Sequence, residues 1–68
     1  MSNFATRLKQ ARIKSGIVQE DAARLLDVRY STYRRYEHGD TEPTVSVAAR
    51  MAQLYGVSLD YLAGLADQ

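Results

Sequence analysis

Apolar residues recur along the chain at helical spacing in short blocks, each closed by a glycine or a polar turn. Phe4, Leu8 and Ala11 fall on one side at i, i+4 and i+7 and predict a first helix that starts after Ser2 or Asn3, either of which can cap it, and ends at Gly16. Arg7, Lys9 and Lys14 read as outward on that helix, and Arg12 lies beside the apolar stripe. A second helix runs from about Gln19 to Leu26, with Glu20 and Asp21 at the positive end of its dipole and Ala22, Ala23 and Leu26 on its apolar side. Asp27 and Val28 form a turn, since Asp tolerates the left-handed conformation better than most residues do. A third helix, from about Tyr30 to His38, stops at Gly39.

The remainder repeats this pattern. Gly39–Pro43 is a polar loop, and Thr44 caps a fourth helix with a predicted core face of Val45, Ala48, Ala49, Ala52 and Tyr55, closed by Gly56. Ser58 caps a fifth, Val57 and Leu62 fit a hydrophobic staple, and Gly64 ends it. Leu65 to Gln68 reads as a frayed end. The expectation is an all-α, compact five-helix bundle forming a single domain, 1–68, with a helix-turn-helix in helices 2 and 3 (residues 19–38).

The third helix has two unlike sides. Tyr33, Tyr36 and Glu37 point one way; Ser31, Arg34, Arg35 and His38 point the other, with Arg29 and Tyr30 at the N-terminal edge. An outer face of donors and cations, with no acid before Glu37, suits the major groove of DNA, where an arginine fork fits guanine and all of these groups can meet phosphate. A solvated arginine pair is the plainer alternative for Arg34 and Arg35, and a ring folded over the domain's own surface for Tyr30. Tyr33 and Tyr36, at i, i+3 on the core side, read as packing rather than as base-stacking residues.

Composition narrows the function classes. The net charge is only +1, but residues 1–35 carry +5 and residues 36–68 carry −4, so one end of the molecule can attract phosphate and the other does not. Charges that merely solvate a small domain are the bland alternative. Without cysteine, disulfides and thiolate metal sites are excluded. With one histidine, no glycine-rich phosphate loop and no paired carboxylates in an evident pocket, no enzyme, cofactor or metal centre is expected. No apolar run approaches about 18 residues and MSNFATRLK has no signal core, so the expectation is a cytoplasmic protein with no membrane contact.

RLKQAR at 7–12, SGIVQEDAARLLDV at 15–28, STYRRYEHG at 31–39, TEPT at 41–44 and YGVSLDYLAG at 55–64 together resemble the phage-repressor and Cro type (XRE-like) of helix-turn-helix regulators. The resemblance spans essentially the whole chain and implies a lambda-repressor-like fold that binds double-stranded DNA, commonly as a homodimer on a palindromic operator. It implies a partly buried Arg12–Glu37 ion pair tying helix 1 to helix 3. It also gives Gln19 a phosphate contact and a brace on the first residue of helix 3, with a solvated helix-start residue as its alternative. By this correspondence Tyr30, Ser31 and Arg35 are the base-edge candidates, with Thr32 and Arg34 next; Arg29 and His38 suit the backbone. The chain departs from the pattern at Val18 and Arg29, which stand where helices 2 and 3 usually have Ser or Thr caps, and at Tyr30, where relatives have Gln or Arg. Tyr30 could bond a phosphate or set its ring against a thymine methyl. Ala11, Ala22 and Ala48 stand where relatives carry larger aliphatics, and Tyr33, Tyr36, Met51 and Tyr55 could refill that volume. Helix 5 and the loop before helix 4 are the expected self-association surface, with Leu59, Tyr61 and Leu65 as candidates; fold closure alone is the alternative for Tyr61. The departures leave a second reading open: a protein-interaction module, such as the antitoxin of a toxin–antitoxin pair.

Overall fold

The computed structural model describes residues 3–67; Ser2, one of the two cap candidates for the first helix, and Gln68 lie outside the described residues. The described residues form α1 (Asn3–Lys14), α2 (Gln19–Leu26), α3 (Tyr30–His38), α4 (Val45–Tyr55) and α5 (Leu59–Ala63), with no strand among them. The short helices are set by their stops. Asp27 takes the left-handed conformation at φ +59°, and its amide reaches back to Ala23 and Arg24 carbonyls, so α2 turns sharply into α3. Gly39 ends α3 at φ +86°, a conformation that a side chain would strain.

α3 packs against both α1 and α2, while α5 closes the bundle against α1 and α4. The core joins Leu8 and Ala11 of α1, Ala22, Ala23 and Leu26 of α2, Tyr33 and Tyr36 of α3, Met51, Ala52 and Tyr55 of α4, and Leu62 of α5. The core combines small alanines with large tyrosine rings and Met51 in one buried cluster. Each buried tyrosine must also place a hydroxyl. Tyr33 and Tyr55 satisfy one another, with their Oη atoms 2.6 Å apart. Val57 is partly buried against the core to which Leu62 belongs.

Three expectations are corrected. Arg7 does not point outward: it is half-buried, its Nη1 donates to the carbonyls of Tyr61 (3.1 Å) and Ala66, and its guanidinium lies 4.6 Å over the Tyr61 ring. A guanidinium with two carbonyls and an aromatic face in reach gains more there than in water. The same contacts hold Leu65 and Ala66, which are not frayed: the Leu65 amide donates to Asp60 O at 2.8 Å. Tyr61 is half-buried, with its ring beneath the Arg7 guanidinium. Finally, Val45 is 75% exposed and takes no part in the core, whereas Val47 is partly buried against it.

Candidate nucleic-acid interface

The inner side of α3 is anchored by a polar network that links three helices. Arg12 of α1 donates from Nε to Glu37 Oε2 at 2.6 Å and from Nη2 to Oε1 at 3.2 Å, a bidentate fork. Its Nη1 donates to the Ile17 carbonyl at 2.9 Å, in the loop leading to α2. Gln19, first residue of α2, donates from Nε2 to Glu37 Oε1 at 3.0 Å. The Glu37 side chain is only 3% exposed and that of Arg12 12%. Burial pushes the Glu37 carboxyl up, but hydrogen bonds from Arg12, Tyr33 and Gln19, with the Arg12 charge, outweigh it and hold the group below its ordinary value of 4.5. Burial, followed by contacts with Glu37 and Tyr55, pushes the Tyr33 hydroxyl far above its ordinary value of 10.0. The charge is therefore fixed at neutral pH, and the network sets how α3 sits on α1 and α2.

Gln19 corrects one expectation. The group it braces is Glu37, near the end of α3, rather than the residue at its start. Tyrosine at position 30 lacks the amide with which a glutamine pair would form, and the buried carboxylate is the stronger acceptor.

The outer side of α3 is open. Arg29, Tyr30, Ser31, Arg34, Arg35 and His38 are exposed, while Thr32 is half-buried and presents less of itself. Ser31, Arg34, Arg35 and His38 line a groove with Gln19, with Lys9 of α1 and with the acids Glu37 and Asp40. Lys9 was not among the site residues expected from sequence; no local signal places a residue of α1 beside α3. Arg34 lies 5.5 Å over the Tyr30 ring, a pairing that the i, i+4 spacing could have revealed. His38 Nδ1 is 3.5 Å from Asp40 Oδ1 on an exposed edge. Neither Val18 nor Arg29 forms a side-chain cap, so the first-turn amides of α2 and α3 have no side-chain partner at those positions.

A family model described as helix-turn-helix matches residues 8–62 of this chain. The chain belongs to the helix-turn-helix family, in its phage-repressor and Cro branch. This helix-turn-helix chain is 38% identical over 62 residues to the HTH-type transcriptional regulator ImmR of Bacillus subtilis (strain 168), covering 91% of this chain and 49% of that protein. It is 29% identical over 56 residues to the cryptic phage CTXphi transcriptional repressor RstR of Vibrio cholerae, covering 82% of this chain and 50% of the repressor. A crystal structure of a transcriptional regulator from Listeria innocua matches with a TM-score of 0.83 at 29% identity, over 96% of this chain and 61% of that one. The chain thus spans about half the length of the curated relatives it matches. Nothing in these relatives favours the antitoxin alternative.

Proposed function

We propose that residues 1–68 act as one sequence-specific double-stranded DNA-binding unit of a repressor-like transcriptional regulator, with α3 reading the major groove. The observation that carries this reading is the division of α3: on its inner side Glu37 is tied to Arg12 and Gln19 and Tyr33 to Tyr55, while its outer side presents Arg34 and Arg35 to solvent. A helix fixed from behind and cationic in front can enter a groove without rearranging.

Base-edge contacts fall to Tyr30, Ser31, Arg34 and Arg35, with half-buried Thr32 at the margin. Arg29, His38 and Lys9 meet phosphates, as do the first-turn amides of α2 and α3. Gln19 uses one N–H on Glu37, and its second N–H donates to the backbone. Two copies bind a palindrome with half-sites about 34 Å apart. Their contact runs through Leu59 and Leu65, both exposed; Leu59 lines an apolar groove with Phe4, Pro43, Val45 and Ala63. Such a regulator works beside the chromosome, in the bacterial cytoplasm; no helix among the described residues is long and apolar enough to cross a membrane.

Filter binding to mixed duplex DNA across a salt series tests the reading. Affinity is expected to fall steeply as salt rises, because cations on phosphates release counterions. A weak response that does not vary with salt would contradict it.

A further inference from the structure

We propose that Tyr30 and Arg34 act as a single reading unit whose target is a guanine adjacent to a thymine in the major groove. This rests on the DNA-binding reading above and goes beyond it by assigning a dinucleotide to a pair of side chains.

The arginines of this chain fall into distinct situations. Arg7 is occupied by two carbonyls, Arg12 by Glu37 and Ile17, and Arg24 by Asp21 at 3.1 Å. Arg34 pairs with no carboxylate among the described residues and lies against the face of the Tyr30 ring, whose centroid is 5.5 Å from the guanidinium carbon. A ring face attracts the cation but accepts none of its five N–H donors, so the whole fork remains for a ligand. The stack also removes much of the freedom that a long arginine side chain would otherwise lose on binding. Tyr30 is 43% exposed, and Tyr33 and Tyr36 are buried, so the partner of Arg34 is the one aromatic ring of α3 that stands clear of the core.

The chemistry of the pair then selects its target. A planar fork matches the O6 and N7 acceptors of guanine, and adenine offers it a donor where guanine has O6. Tyr30, one helical turn before Arg34, carries its ring into the same groove. Base pairs are about 3.4 Å apart along the axis, so a ring 5.5 Å from the guanidinium is far enough from it to reach a neighbouring pair. The flank of that ring is apolar, and the C5-methyl of thymine is the apolar group on the major-groove floor. A purely phosphate-bound Arg34 would have no use for a ring that restricts its direction.

The test uses the intact chain. Selection from a random duplex pool at two salt concentrations first shows whether DNA is bound with sequence preference at all; failure there overturns the DNA-binding reading and this proposal together. In a selected duplex, each guanine is then replaced by 7-deazaguanine, which lacks the N7 acceptor, and each thymine by deoxyuridine, which lacks the methyl. One guanine is expected to lose about tenfold in affinity when its N7 is removed, and a thymine next to it a few-fold when its methyl is removed. Arg34→Ala is expected to erase the guanine effect. Tyr30→Ala should weaken both effects, with Arg34 still present, and Tyr30→Phe should restore both, since the ring rather than the hydroxyl makes the stack. Both side chains are exposed, and circular dichroism checks that each variant keeps its helices. An undiminished guanine effect in Tyr30→Ala would show that Arg34 acts alone. A wild-type protein indifferent to every 7-deazaguanine, or a guanine effect that survives Arg34→Ala, would also overturn the unit.

Discussion

α2 and α3 begin differently from α4 and α5. In the later pair a hydroxyl closes the first turn: Thr44 Oγ1 accepts from the Val47 amide at 3.3 Å, and Ser58 Oγ from the Tyr61 amide at 2.9 Å. In the earlier pair Val18 and Arg29 stand at the same point and make no such bond. Each missing cap costs roughly 0.5–2 kcal/mol. The uncapped helices are also the pair whose amides and cations face the proposed DNA, and they are held from beneath by Glu37 and its three donors. Stability in this half comes from a buried network behind α3 and is given up at its front, where unpartnered amides suit an incoming phosphate.

The largest test of that contrast removes the support from behind. Arg12→Met leaves Glu37 buried without its cation and is expected to cost about 3–5 kcal/mol in urea unfolding; a loss below about 1 kcal/mol would mean that the pair behaves as an exposed one. The same network sets the response to pH. Because the folded state holds Glu37 below its ordinary value of 4.5, the unfolded chain takes up the proton first, and stability should decline as pH falls below about 4.5. Glu37→Gln should flatten that acid limb. Tyr33 acts with the opposite sign: its folded value lies above the ordinary 10.0, so its contribution is complete below pH 10 and is lost as the unfolded chain ionises above it. Calorimetric melting across pH would reveal both limbs.

The caps give the smallest effect and the sharpest form of the comparison. Val18→Thr is expected to raise stability by roughly 0.5–2 kcal/mol, and Thr44→Ala to lower it by a similar amount. If Val18→Thr leaves stability unchanged while Thr44→Ala lowers it, the α2 amides are already satisfied in the free protein and the contrast between the two pairs fails.

Helix boundaries were legible in the sequence because each stop is chemical and local: Asp27, Gly39, Gly56 and Gly64 all adopt the left-handed conformation their positions require. The two sides of α3 followed from periodicity alone. The failures share a different cause. Arg7 reads as a surface cation until the C-terminal segment, remote in sequence, folds over it and offers carbonyls. Gln19 finds its partner in Glu37 only once α2 and α3 are packed, and Lys9 joins the groove only because α1 lies beside α3. Val45 has the right spacing for the core but sits where no helix covers it. Spacing reports which face a residue occupies; what stands opposite that face is a property of the assembled bundle.

The most direct test of the two-sided α3 is amide chemical-shift mapping with a duplex carrying one selected half-site, so that a single copy binds and self-association adds nothing. Perturbations are expected to gather on the first turn of α2 and on residues 29–38, with α4 and α5 nearly silent. Shifts centred instead on Val45, Leu59 and Leu65, with α3 unmoved, would contradict the assignment of α3 as the reading element.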